Sequence, residues 1–197
     1  MSALRSALGS LDLAVLEWMH RHVTQAGISI AQAISHLGSP LAMTVLAFAG
    51  TFTLLALAEW ILLAGWVAAF SGASLSDRWL KLAIHRPRPI YAANLLPHSS
   101  WSFPSGHAMG SLVGYGMLAY LLVLANRGNP ARQRSIVILA TVLILAIGIS
   151  RLYLGVHYLS DVVGGYAAGL VWLATCIALV ELGRRWQQGS LRLTPTS

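Results

Sequence analysis

Charged side chains are scarce in this chain. Asp, Glu, Lys and Arg together make up 10% of its 197 residues, and 56% of the residues are hydrophobic. A soluble domain carries about 25% charged residues. The mean hydropathy of +0.67 points in the same direction. These values argue against a soluble globule and favour a protein that crosses the membrane several times.

Cysteine is almost absent. Cys176 is the only one, and it lies inside an apolar run. A single cysteine excludes an intramolecular disulfide and a cysteine-based metal cluster.

Acidic residues are outnumbered by basic ones, six against thirteen, which gives a formal net charge of +7. In a soluble protein such an excess can indicate nucleic acid binding. Here the positions indicate membrane topology, because cytoplasmic segments are enriched in basic residues. Two short polar segments hold six of the arginines: Arg127, Arg132 and Arg134 in one, and Arg184, Arg185 and Arg192 in the other. We therefore predict that both segments are cytoplasmic and that nucleic acid is not a partner.

Long apolar runs predict an all-α fold, a polytopic membrane helical bundle with about five transmembrane helices. Residues 1–38 mix apolar residues with charges and histidines and predict an amphipathic, interfacial segment. Residues 39–183 form the transmembrane domain, and 184–197 form a cytoplasmic tail. Ser39 and Pro40 are typical of a helix start. The spans are predicted at about 40–58, 61–85, 104–125, 135–150 and 157–182.

This topology places the loop at 86–104 and the link at 151–157 on the side opposite the basic segments. Every candidate functional residue then lies at one face of the membrane. The expected location is the inner (plasma) membrane of a bacterium, with the site facing the periplasm or exterior.

Three short segments between residues 81 and 161 carry polar residues in a fixed order. The only lysine, Lys81, precedes Arg88-Pro89 by seven positions, and two helical turns would place Lys81 and Arg88 on one face. The second segment is Pro-Ser-Gly-His at 104–107. The third begins with Ser-Arg at 150–151 and continues to His157 and Asp161. Together they resemble, at every signature position, the type 2 phosphatidic acid phosphatase superfamily.

These residue types suit phosphoryl transfer, which needs positive charge around the phosphate oxygens. Lys81, Arg88 and Arg151 supply that charge. Ser105 and Gly106 are expected at a helix N-terminus, where backbone N–H groups favour an anion. The sequence therefore predicts a phosphate-binding set of Lys81, Arg88, Ser105, Gly106 and Arg151.

His157 and Asp161 are four positions apart, so on a helix the carboxylate can orient the imidazole. The resemblance implies that His157 attacks phosphorus to form a phosphohistidine and that His107 protonates the leaving group. It also implies a membrane lipid substrate: phosphatidic acid, diacylglycerol pyrophosphate, phosphatidylglycerophosphate or a polyprenyl diphosphate. The resemblance further implies no metal and no organic cofactor. No protein partner is predicted.

Other interpretations stay open on the sequence. His157 and Asp161 suit a structural pair or two metal ligands. A vanadate-dependent haloperoxidase uses a similar anion site, and a membrane serine protease could use Ser74. A non-catalytic binder or transporter of anionic lipids needs the same cations. His85, Arg86 and His98 flank the signature positions, and we assign them structural or lipid-headgroup contacts.

Overall fold

The computed structural model describes residues 2–91 and 101–192. Its described residues form α-helices and connecting turns and contain no strand. In chain order the helices are α1 (Ser2–Arg21), α2 (Gln25–Leu37), α3 (Pro40–Ala56), α4 (Trp60–Ile84), α5 (Gly106–Ala125), α6 (Pro130–Tyr153) and α7 (Leu159–Arg192).

Five segments of the described chain are long and apolar enough to cross a membrane, which confirms the predicted fold class. They are Gln25–Ala56, Trp60–Ile84, Gly106–Ala125, Pro130–Tyr153 and Leu159–Gln188. The first joins α2 and α3, and the last extends beyond the end predicted near residue 182.

The helix boundaries follow from local chemistry. The Ser39 side chain accepts a hydrogen bond from the Ala42 backbone N–H, and Pro40 begins α3 as the sequence predicts. Asn129 caps α6 in the same way, so that helix begins earlier than the predicted residue 135. The left-handed backbone of His85, with φ of 51°, ends α4. Pro87 follows, and proline disfavours the helical conformation in the residue before it.

α5 is the central helix of the bundle and packs against α3, α4, α6 and α7. Met109, Val113 and Met117 of α5 are almost completely buried, as is Trp66 of α4. The Trp66 indole N–H donates to the Ala47 carbonyl at 2.9 Å and joins α4 to α3. Large apolar side chains elsewhere on the bundle, such as Phe52 and Val171, face outward, as expected where lipid replaces water.

The two ends of the bundle differ in what they carry. One end of the bundle contains the start of α3, the C-termini of α4 and α6, and the N-termini of α5 and α7. α1 and α2 pack across this end, where the Tyr153 hydroxyl accepts from the Thr24 N–H at 3.0 Å. The arginine-bearing connection between α5 and α6 and the last turns of α7 lie at the other end. The predicted separation of the signature residues from the basic segments is therefore present in the fold.

Candidate active site

A cavity of about 520 Å³ lies at the end of the bundle where α1 and α2 pack. Its walls come from α3, α4 and α5, and the last turn of α6 and the link before α7 complete it. Six of the eight sequence-predicted site residues line it: Lys81, Arg88, Gly106, His107, Arg151 and His157. Ser105 and Asp161 lie behind its wall, each with no exposed surface.

Lys81 and Arg88 reach this cavity by a route that differs from the predicted one. α4 ends at Ile84, so the two residues do not share a helical face. Arg88 lies in the extended segment beyond the helix, and its Nη1 donates to the Val156 carbonyl at 2.9 Å. Burial lowers the pKa of Arg88. The link before α7 thus contributes to holding this guanidinium at the cavity.

The Pro-Ser-Gly-His turn begins α5. The Ser105 hydroxyl caps the helix, and the Ser105 backbone N–H donates to the Asp161 carbonyl at 2.9 Å, which ties the turn to α7. The structure therefore does not place this hydroxyl among the groups that line the cavity. A Cβ atom on Gly106 would lie 3.1 Å from Asp77 Oδ1 and 3.2 Å from Lys81 Nζ. Glycine at this position lets both charged groups approach the helix start.

His157 lies in the link before α7, and its side chain is only 2% exposed. Its Nδ1 is 3.5 Å from Asp161 Oδ2, and its Nε2 is 3.2 Å from Arg88 Nη1. Burial lowers the pKa of His157 to about 4, so the imidazole is neutral at pH 7. With its proton on Nδ1, facing the carboxylate, Nε2 carries a lone pair that can attack an electrophile.

Asp161 is held by donors from four directions. It accepts from the Tyr158 backbone N–H at 2.9 Å, from Arg86 Nη1 at 2.7 Å and from the Ser102 hydroxyl, besides facing His157. Because every oxygen has a donor, the carboxylate has one position. That position fixes the orientation of the His157 ring.

Arg86 links Asp161 to the N-terminal helix. Its Nη2 is 2.7 Å from Asp12 Oδ2, and its guanidinium lies over the Tyr158 ring at 4.3 Å. Asp12 also accepts from the Ser160 backbone N–H at 2.8 Å and from the Ser160 hydroxyl at 2.6 Å. Burial opposes the charge on Arg86, but the two carboxylates outweigh it and raise the pKa of Arg86. A continuous chain of contacts thus runs from α1 to His157.

On the cavity side the polar groups have fewer partners. Arg151 Nη1 donates to the Ser35 hydroxyl of α2, but its Nε is buried with no hydrogen-bond partner in the described part of the chain. Asp77 Oδ1 is likewise buried without a hydrogen-bond partner among the described residues, while Asp77 Oδ2 accepts from Lys81 Nζ at 2.7 Å. Within residues 2–91 and 101–192, the His107 ring makes no hydrogen bond and faces the cavity.

Sequence reasoning missed Asp12, Asp77, Ser102 and Ser160, and it gave Arg86 no place beside Asp161. One signal could have pointed to the acids, because the chain has only six and an apolar protein rarely buries a carboxylate without a cation. The assignment of His85 is consistent with an edge-on contact to the Trp101 ring at 4.7 Å. His98 lies outside the described residues.

The arrangement brings together a neutral imidazole with an orienting carboxylate, a second imidazole and three cations around one cavity. That set can bind a tetrahedral anion, attack its central atom and supply a proton to a leaving oxygen. Among residues 2–91 and 101–192, no three His, Cys, Asp or Glu side chains are grouped so as to hold a metal ion.

Comparisons with known proteins agree with this chemistry. The sequence profile of the PAP2 superfamily matches residues 53–185. The chain is 34% identical over 162 residues to phosphatidylglycerophosphatase B of Bacillus subtilis, covering 81% of this chain and 78% of that protein. It is 35% identical over 142 residues to decaprenylphosphoryl-5-phosphoribose phosphatase of Mycolicibacterium smegmatis, covering 68% and 69%.

Two solved structures share the fold. A transmembrane PAP2-type phosphatidylglycerolphosphate phosphatase from Bacillus subtilis superposes with a TM-score of 0.75 at 31% identity, covering 92% of this chain and 88% of the other. Aquifex aeolicus LpxE gives a TM-score of 0.63 at 18% identity, covering 84% and 94%. The second likeness concerns the fold alone.

Proposed function

The chain belongs to the PAP2 superfamily of membrane phosphatases, and from that premise we propose that it hydrolyses a lipid phosphate through a phosphohistidine on His157. The observation that carries the proposal is the position of His157 Nε2. This atom faces a cavity lined by Lys81, Arg88 and Arg151, while Nδ1 of the same ring faces a buried carboxylate. No other imidazole of the described chain has both an orienting carboxylate and a cationic cavity.

In the first step His157 Nε2 attacks phosphorus, and the bond from phosphorus to the leaving oxygen breaks. The three cations neutralise charge on the phosphoryl oxygens as this happens. His107 gives its proton to the leaving oxygen, which departs as an alcohol or, from a diphosphate, as a lipid phosphate. The negative charge of a bound phosphate favours the protonated form of His107 before the step.

In the second step water attacks the phosphorus of the phosphohistidine. His107, now neutral, takes a proton from that water, and the bond between phosphorus and Nε2 breaks. The products are inorganic phosphate and the starting enzyme. Because the enzyme supplies nucleophile, proton donor and positive charge from its own side chains, we propose that the reaction needs no metal.

The shape of the cavity supports a lipid as substrate. From the charged end it continues along α3, α4 and α5, where Met43, Ala47, Phe70 and Val113 line it. A phosphate held by Lys81 and Arg88 therefore has its ester group directed into an apolar slot within the bundle. This suits an amphiphile whose headgroup enters first and whose chain remains in the bilayer.

The relatives support a lipid phosphate as the substrate. Their names give phosphatidylglycerophosphate and decaprenylphosphoryl-5-phosphoribose as substrates of those proteins, and both are lipid phosphates. We propose the same class here, which includes the phosphomonoesters and diphosphates expected from the sequence. We also propose that residues 39–183 form the catalytic domain, that the cavity faces the exterior of the cell membrane and that the tail from 184 is cytoplasmic.

The test is phosphate release by the purified protein in detergent from a panel of lipid phosphates, with and without a chelator. We expect release from at least one lipid phosphate, undiminished by chelator and inhibited competitively by vanadate. Vanadate binds as an analogue of phosphate. Binding of the same lipids without phosphate release would instead establish a non-catalytic lipid binder, and activity lost on chelation would contradict the metal-free mechanism.

A further inference from the structure

Asp77 is a carboxylate in the wall of a cavity that binds an anion under the proposed function. It lies on α4 four residues before Lys81, about 6 Å deeper into the bundle along the helix axis. Its Oδ2 holds Lys81 Nζ at 2.7 Å, and its Oδ1 is buried with no hydrogen-bond partner among the described residues. The proposed catalytic steps use no negative charge there.

We propose that Asp77 determines specificity, so that the enzyme accepts lipid phosphomonoesters and discriminates against lipid diphosphates. This inference rests on the proposed function and narrows its substrate class. It concerns selection between substrates and gives Asp77 no part in the chemical steps.

The charge of the cavity supports this inference. The charged lining residues are Lys81, Arg88, Arg151 and Asp77, and the proposed mechanism adds one positive charge on His107. Asp77 lowers the positive charge of the cavity by one whether or not His107 is protonated. A phosphomonoester near neutral pH carries about two negative charges. A diphosphate carries about one more, so the charge of Asp77 repels it more strongly. The groups behind His157 are two carboxylates and one guanidinium, Asp12, Asp161 and Arg86, so they add no positive charge to receive it.

The position of Asp77 supports the inference independently of the total charge. When the terminal phosphate of a lipid diphosphate lies at His157, the inner phosphate must lie on the side of the lipid chain, deeper in the cavity. Asp77 occupies the wall between Lys81 and the deeper lining residues Ser74 and Phe70. Two like charges about 6 Å apart in a partly buried site repel strongly enough to change a rate constant by about tenfold or more.

Asp77 interacts in a different way with the leaving group of a phosphomonoester. An alcohol that carries a further hydroxyl group can donate a hydrogen bond to the Asp77 carboxylate, which lines the cavity. Hydrogen bonds to an ionised acceptor are stronger than those between neutral groups, so a ligand that supplies one is favoured. We therefore infer a preference for phosphomonoesters with a neighbouring hydroxyl group.

The experiment compares three lipids with related chains: lysophosphatidic acid, phosphatidic acid and diacylglycerol pyrophosphate. The first has a free hydroxyl near its phosphate, the second has that hydroxyl acylated, and the third is a diphosphate. For each, kcat/KM is measured from phosphate release by the full-length wild type, D77N and D77E. Glu59→Gln is the matched control, because it removes one negative charge at the opposite end of the bundle.

We expect the wild type, D77E and E59Q to prefer the monoesters and D77N to shift the ratio toward the diphosphate by about tenfold or more. Ratios within one preparation do not depend on the fraction of folded enzyme. An unchanged ratio in an active D77N would overturn the inference and leave the proposed function intact. Loss of activity on all three lipids in D77N would also overturn it, by assigning Asp77 to the support of Lys81. A wild type inactive on every lipid phosphate would contradict the proposed function itself.

Discussion

The two sides of the His157 ring are built differently. Behind the ring, Asp161, Arg86, Asp12 and Ser160 are joined by hydrogen bonds of 2.6–2.8 Å. In front, Arg151 Nε and Asp77 Oδ1 are buried without hydrogen-bond partners in the described residues. Buried polar groups are normally paired, so an unpaired one requires an explanation. The difference indicates that the rear network sets the geometry before a ligand arrives, whereas the front is completed only when the ligand binds.

Replacing His157 tests the comparison with the largest expected effect. H157Q removes the nucleophile and leaves both sides otherwise intact, so turnover should fall by about 10⁴-fold or more. The measurement is phosphate release, together with acid-labile phosphoenzyme trapped from a radiolabelled lipid. H36Q, on an exposed side chain at the end of α2, is the matched control. Phosphoenzyme that still forms in H157Q would place the nucleophile elsewhere.

Replacing His107 tests the front side. H107Q should lower kcat by about 10²–10⁴-fold for alkyl phosphates, because the leaving alkoxide then lacks its proton donor. The loss should shrink as the leaving group becomes more acidic, so a series of aryl phosphates of decreasing leaving-group pKa is the appropriate measurement. An equal loss across the series would show that His107 binds phosphate and does not act as the acid.

Replacing Asp12 tests the rear side. In D12N the Arg86 guanidinium loses the negative charge of one of its two carboxylate partners. One charged hydrogen bond between α1 and the site is weakened, at a cost of about 1.5–3 kcal/mol. We expect kcat to fall by about tenfold or more with KM nearly unchanged, since Asp12 acts through Arg86 and Asp161 and does not reach the substrate.

The matched control for D12N is E17Q in the same helix, where Glu17 forms an exposed pair with Arg21 at 3.5 Å. Thermal melting of both variants in detergent separates a loss of fold from a loss of positioning. A D12N enzyme that melts earlier but keeps the wild-type kcat would show that Asp12 merely anchors α1.

The difference between the two sides of the His157 ring also explains which parts of the site the sequence could predict. Hydropathy located the spans because the bilayer requires long apolar runs. Six residues that line the cavity were found because their order and spacing within short segments match the superfamily signature. Asp12 and Ser160 are 148 positions apart, and neither local pattern nor periodicity indicates that α1 crosses the start of α7. The helical spacing of Lys81 and Arg88 led to the wrong prediction that they share a helical face, because the left-handed His85 ends α4 between them.

Replacing Ser35 tests the comparison with the smallest expected effect. Its hydroxyl accepts from Arg151 Nη1 and is the only hydrogen-bond partner of this guanidinium in the described part of the chain. S35A leaves the charge of Arg151 in place but frees the group to move, so KM should rise about threefold to tenfold, equivalent to about 1 kcal/mol, with kcat little changed.

Ser29→Ala is the matched control for S35A, because the Ser29 hydroxyl lies in the same helix and donates to the Gln25 carbonyl of that helix at 3.2 Å. Both constants come from phosphate release over a range of substrate concentrations. A fall in kcat as large as that of D12N would mean that Arg151 must be held as rigidly as Asp161. The front of the ring would then be preorganised before the substrate binds, and the distinction between its two sides would not hold.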